Sequence, residues 1–231
     1  DRLPEDAGHL ILSASQSMNL LGQVQAQSTV GGRGGLVDIS SSADIYIGSG
    51  GSGPPGAINL NASKLSSFGA ESLLIGGFRT EGTGSTTVAV RTANLTLDNA
   101  TTPLTGPEII LVSNKNLTLG LGSQIIQSGS VSGNAATLLL GNASTPGSGD
   151  GTLVRVTSDP AAQTIRSGVT ASTLPHMVVG AGTSLSGGGI TLDSTYGTSL
   201  DSTATLDGQA IYLNSGQISL QLNNPGTLFA P

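Results

Sequence analysis

The sequence predicts an all-β chain, and within that class a β-solenoid in which short strands stack coil upon coil. Three observations predict it. Apolar residues come as short alternating triplets, the triplets recur in pairs across small polar gaps, and the 231-residue chain has no Trp and only 3% aromatic residues to build a ring-centred core.

Alternation with period two puts successive side chains on opposite faces of a strand. Leu10-x-Leu12 is followed by Met18-x-Leu20, Val37-x-Ile39 by Ile45-x-Ile47, and Ile109-x-Leu111 by Leu117-x-Leu119. Val88-x-Val90 leads to Leu95-x-Leu97, and Ile211-x-Leu213 to Ile218-x-Leu220. The gaps read SASQS, SSSAD, VSNKN, RTAN and NSGQ. Such small polar residues accept turn geometry and bond to nearby backbone, so each unit reads as strand, corner, strand.

Further triplets start at Ile58, Leu138, Val154 and Ile190, and the steps 37 to 58, 88 to 109 and 190 to 211 are each 21 residues. A coil of about 20 residues with two or three short strands is what a parallel solenoid needs, each turn bonding to the one before. About nine irregular coils at ~4.8 Å each are expected in a single elongated domain over 1–231. The Gly-, Ser- and Pro-rich stretches near 48–56, 98–108, 141–151 and 157–189 are expected as loop insertions. A β-sandwich is the alternative, but its hairpins would show Asn-Gly or Asp-Gly turns, and Asp150-Gly151 and Asp207-Gly208 are the only two.

Composition removes several function classes. Mean hydropathy is +0.14 and charged residues are 10%, the reverse of a disordered chain. A net charge of −6 with eight Lys plus Arg and no basic run lacks the electrostatic footprint for nucleic acid. No window has the roughly 18 apolar residues of a membrane helix, so no membrane insertion of this segment is expected. The chain starts at Asp1 and reads as a processed or excised piece.

Three stretches carry a family resemblance: Gly8-His9-Leu10-Ile11-Leu12-Ser13-Ala14, Gly56-Ala57-Ile58-Asn59-Leu60-Asn61-Ala62-Ser63 and Gly208-Gln209-Ala210-Ile211-Tyr212-Leu213-Asn214-Ser215-Gly216. Their texture of glycine, apolar residue, x, Leu, x, Ala or Ser resembles the filamentous haemagglutinin and high-molecular-weight adhesin group. These are large bacterial exoproteins exported by two-partner secretion or autotransporter routes. The resemblance implies a right-handed parallel β-helix at the bacterial cell surface, secreted, and active in adhesion, biofilm or contact with other cells. Zero cysteine suits such a route. The family's secretion domain carries Asn-Pro-Asn-Gly, and the nearest string here is Asn224-Pro225-Gly226-Thr227. That departure points to a shaft region.

β-Helices also host polysaccharide lyases and hydrolases, so the ionisable residues bear on function. Asp193, Asp201 and Asp207 could pair across coils as carboxylates or a calcium site, against an ordinary reading as solvated corners. Arg155, with Asp159 and Arg166 beside it, could bind a uronate, against a solvated outward strand position. His9 and His176 are far apart and suggest neither a metal site nor a Ser-His-Asp relay. Gly31 to Gly35 and Gly187 to Gly189 match no phosphate loop. Asn61, Asn94, Asn99, Asn116 and Asn142 each begin an Asn-x-Ser/Thr string. Thr96, Thr118, Thr191 and Ser219 could form an outward ladder for ice or a glycan.

No catalytic, cofactor-binding or metal-ligating residue is assigned, no cofactor is expected, and the chain is read as no enzyme. The expected function is a structural or adhesive segment of an extracellular surface protein or fibre. Its partners would be host or neighbouring-cell surface glycans or proteins, or further copies stacked end to end into fibres. The alternatives are a carbohydrate-active β-helix enzyme and a glycan-binding module without turnover.

Overall fold

Apolar alternation becomes strand wherever one face of the segment can be buried, and here it does so along the chain. The structure, a computed structural model, describes residues 6–220. It is all-β, with about 2% helix and 50% strand.

In chain order, β1 (His9–Ala14) pairs in parallel with β2 (Leu36–Ser41) on a first face. The chain corners into β3 (Ile45–Gly48) on a second face, where β4 (Ile58–Asn61) lies alongside it in parallel. The short helix α1 (Ala62–Ser66) follows, with the Asn61 side chain accepting the Lys64 N–H at 3.0 Å as its cap. β5 (Ser72–Ile75) then stacks on β2.

At Gly76 the chain swings outwards. Its φ is +104° and a Cβ would lie 1.9 Å from the Val112 carbonyl oxygen, so only glycine fits the pivot. The antiparallel hairpin β6 (Gly77–Glu81) and β7 (Ser85–Val90) starts a second sheet. The chain returns as β8 (Leu95–Asp98) on the second face and β9 (Leu104–Gly106) on a third. β10 (Glu108–Ser113), β11 (Asn116–Leu119) and β12 (Gln124–Gln127) repeat the three faces, each parallel to its predecessor β5, β8 or β9.

A second excursion follows. β13 (Thr137–Leu140) joins the second sheet, β14 (Thr152–Thr157) re-enters the main sheet, and β15 (Thr164–Arg166) pairs with β13. β16 (His176–Val179) stacks on β11. β17 (Ser184–Leu200) runs through all three faces in one strand, and β18 (Thr205–Leu220) follows it in register.

Stacking in register builds apolar columns. One runs Leu10, Val37, Leu73, Ile109, Val156, Ile190, Ile211, and its neighbour runs Leu12, Ile39, Ile75, Leu111, Val154, Leu192, Leu213. Burying each aliphatic side chain contributes about 1.5–3 kcal/mol. The second sheet covers the outer side of the first face, where Leu74, Ile110, Val112 and Leu153 meet Val88, Leu138 and Leu140. Strands β5, β10 and β14 are therefore buried on both sides, and their sequences are nearly continuous apolar runs.

Several expectations need correction. Among the described residues the longest ladders hold seven strands, β1, β2, β5, β10, β14, β17 and β18 on the first face and β4, β3, β8, β11, β16, β17 and β18 on the second, where about nine coils were expected. β14 runs antiparallel to both neighbours, because the chain enters it through Gly151 after crossing the outside of the stack. The triplets at Val88 and Leu138 belong to the second sheet. Of the three 21-residue steps, only Ile190 to Ile211 joins stacked neighbours. Stretch 98–108 carries β9, and 157–189 carries β15, β16 and the start of β17, so neither is a bare loop. Met18–Leu20 forms no strand, though Met18 and Leu20 pack on the core.

Candidate functional site

Charges are scarce in this chain, so their concentration between the two sheets stands out. Asp38 occupies the outward position between Val37 and Ile39 on β2 and is fully buried. It accepts Arg79 Nε at 2.7 Å and the Arg79 backbone N–H at 2.6 Å, and His9 Nε2 lies 2.9 Å away. Arg79 reaches down from β6 and donates through Nη1 to Ser72 Oγ at 2.7 Å. Ser72 in turn donates to Glu108 Oε2. Glu108 Oε1 accepts Arg155 Nε at 2.9 Å and Nη2 at 2.6 Å. Arg155 completes its fork on the carbonyls of Gln163 and Ala136.

The result is a continuous line from His9 through Asp38, Arg79, Ser72 and Glu108 to Arg155, joining both sheets. Burial pushes the Glu108 carboxyl up, but Arg155, the Ser72 hydroxyl and Arg79 outweigh it and hold it below the usual carboxylate range. Near β17, Arg166 pairs with Asp193 across the same gap.

Beside this line a cleft of about 550 Å³ opens, with Arg33, Glu71, Glu81, Asn134, Asp159 and Gln163 among its walls. Glu71 accepts Gly34 N–H at 2.7 Å and the Ser132 N–H and hydroxyl at 3.0 and 2.7 Å. Asp159 accepts the backbone N–H groups of Ala135 and Ala161, both at 2.8 Å. Arg33 Nη1 lies 3.2 Å from Glu81. Glu71 and Asp159 thus hold the loops around 34, 132, 135 and 161 in place. The walls of the cleft are mainly polar and charged.

The residues singled out from sequence scatter. Arg155 is not a solvated outward residue: the second sheet covers it completely, at 0% exposure. Asp193 is buried with Arg166, Asp207 is exposed opposite Ser186, and Asp201 is held by Thr203, whose hydroxyl and N–H lower its carboxyl from the ordinary value. The three do not form one carboxylate site. His9 joins Asp38, while His176 meets the Tyr196 ring edge-on at 4.8 Å. Thr96 and Thr118 stack on the second face, but Thr191 lies under the second sheet, so the four-member ladder does not form. The string Asn224-Pro225-Gly226-Thr227 lies outside the described residues.

Among the five Asn-x-Ser/Thr strings, Asn99 is buried and bridges to Gln124, Asn61 caps α1, and Asn94 grips Asp44. Asn116 and Asn142 are exposed.

Sequence reasoning missed Asp38, Arg79 and Glu108. A signal existed for the first: a carboxylate at the outward position of a strand, in a chain with 10% charged residues, asks for a partner.

The chain matches no family model, no curated protein and no solved structure.

Proposed function

We propose that this chain is a non-catalytic structural segment of an extracellular bacterial surface protein or fibre, built as a right-handed parallel β-helix that acts as a stalk. The observation that carries the reading is the pair of apolar columns running through seven stacked strands from Leu10 and Leu12 to Ile211 and Leu213. Such columns favour length and stiffness. The buried line from Asp38 to Arg155 adds to this by fastening a second sheet along one side. In the cleft, Glu71 and Asp159 tie neighbouring loops together through the backbone and hydroxyl donors they accept.

The test is a glycan panel read for reducing ends, for unsaturated products and for binding. The stalk reading expects no turnover. Turnover lost on Glu81→Gln or Asp159→Asn would overturn it. Saturable binding without turnover, abolished by Arg33→Ala or Glu81→Gln, would favour the second reading, a glycan-binding module in the polar cleft.

A further inference from the structure

The serine-rich strings SASQS and SSSAD, which begin at Ser13 and Ser40, lie side by side because those two residues are paired neighbours on β1 and β2. The excursion that leaves the stack at Gly76 returns beside them through Arg91, whose backbone N–H donates to the Gly76 carbonyl at 2.8 Å. A cleft of about 430 Å³ opens here, lined by five serines, Ala14, Phe78 and Arg91. That volume falls within the roughly 300–1,000 Å³ of small-ligand sites. No carboxylate lines it, although the net charge of the chain is −6.

Two groups in this cleft lack partners. Arg33, Arg79, Arg155 and Arg166 each face a carboxylate. The Arg91 guanidinium has neither an ion pair nor a hydrogen bond among the described residues, and lies over the Phe78 ring with Cζ 5.1 Å from the centroid. Stacking fixes the guanidinium plane and leaves its edge of N–H donors open, the arrangement that grips an oxyanion as a fork. Ser40 is the second group. It is only 2% exposed, its hydroxyl bonds to nothing among the described residues, and it lines the cleft. A buried hydroxyl is ordinarily hydrogen-bonded. Beside it, Ser41 accepts the Ala43 N–H at 2.9 Å, so its own proton remains to be donated. A guanidinium fork with hydroxyl donors from a neighbouring corner, and no competing acid, fits a tetrahedral oxyanion.

We propose that this cleft binds a sulfate or phosphate monoester, with Arg91 forking two of its oxygens and the Ser40 hydroxyl donating to a third. The volume leaves room for a small polar carrier of the ester, such as one sugar ring. The site shares no lining residue with the cleft around Glu71 and Asp159, and it does not rest on the stalk reading.

Calorimetric titration of the full chain at low salt tests it, with glucose sulfate, glucose phosphate and glucose as probes. Saturable binding of one or both esters is expected, and none of glucose; the tighter ester identifies the group. Arg91→Gln and Ser40→Ala are each expected to weaken binding about tenfold or more, and Arg91→Lys to keep only part of it because lysine lacks the fork. Arg33→Ala, in the other cleft, is expected to leave binding unchanged. Circular dichroism checks that each variant folds, and if Arg91→Gln does not, Arg91→Lys and Ser40→Ala carry the test. Failure of both esters to bind, glucose binding as well as its esters, undiminished binding in Arg91→Gln, or an equal loss in Arg33→Ala would overturn the proposal.

Discussion

Glu108 on β10 and Arg155 on the antiparallel strand β14 bury a forked ion pair between two sheets, with Arg155 Nη2 2.6 Å from Glu108 Oε1. The pair links the reversed strand β14 to the parallel stack it interrupts. It is also the point where the second sheet is tied down, since Arg155 bonds the Ala136 and Gln163 carbonyls beside β13 and β15.

Removing one partner leaves the other buried and uncompensated. Arg155→Met is expected to cost about 3–5 kcal/mol. The double variant Glu108→Gln/Arg155→Met is expected to recover part of that loss, because Gln still accepts from Ser72. Urea unfolding of the cycle checks this: additive losses would show that the two side chains are not coupled.

The same carboxylate sets an acid response. Glu108 is held below its ordinary value in the folded chain, so its contribution is present above the unfolded value of ~4.3 and is lost as pH falls below that. Stability measured from pH 6 downwards is expected to drop below pH about 4.3, with a shallower slope in Glu108→Gln. An unchanged slope in that variant would remove Glu108 from the account.

Gly76 is the pivot from which the first excursion leaves the stack. Gly76→Ala combines positive φ with a clash on the Val112 carbonyl. The expected loss is at least ~1–3 kcal/mol from backbone strain alone. Circular dichroism melting checks it, and a melt unchanged from the parent would mean that the chain turns outwards by another route.

Thr198 sits in the inward column between Met177 and Ile218, and its buried hydroxyl has no partner among the described residues. Thr198→Val is close in shape and removes the stranded hydroxyl. Stability is expected to rise by about 1 kcal/mol. A loss in urea unfolding would show that the hydroxyl is bonded.

The strands of the stack were largely legible in the sequence because alternation is a local signal. Val37-x-Ile39, Ile45-x-Ile47 and Leu117-x-Leu119 are strands where the triplets place them. What was not legible is which strands stack. Val88-x-Val90 and Leu95-x-Leu97 look like one unit, yet the first lies in the second sheet and the second in the main one. An apolar triplet reports that one face is buried and is silent on what buries it. The excursions also hid the true spacing: β2, β5 and β10 are stacked neighbours 36 residues apart, at Leu36, Ser72 and Glu108. The ion-pair line was invisible for the same reason. Asp38 and Arg79 are 41 residues apart and meet only because a second sheet folds over the first.

The central claim is a rod of stacked strands, and the second face offers a direct ruler. Outward residues Asn59, Tyr46, Thr96, Thr118, Val178, Ser199 and Ser219 follow one another rung by rung. Six steps of ~4.8 Å give about 29 Å between the first and the last. Spin labels on Asn59→Cys and Ser219→Cys, in a chain with no other thiol, measure that distance by pulsed electron resonance. A narrow distribution near 30 Å is the result expected; a separation below about 20 Å, or a broad spread, would contradict the stack.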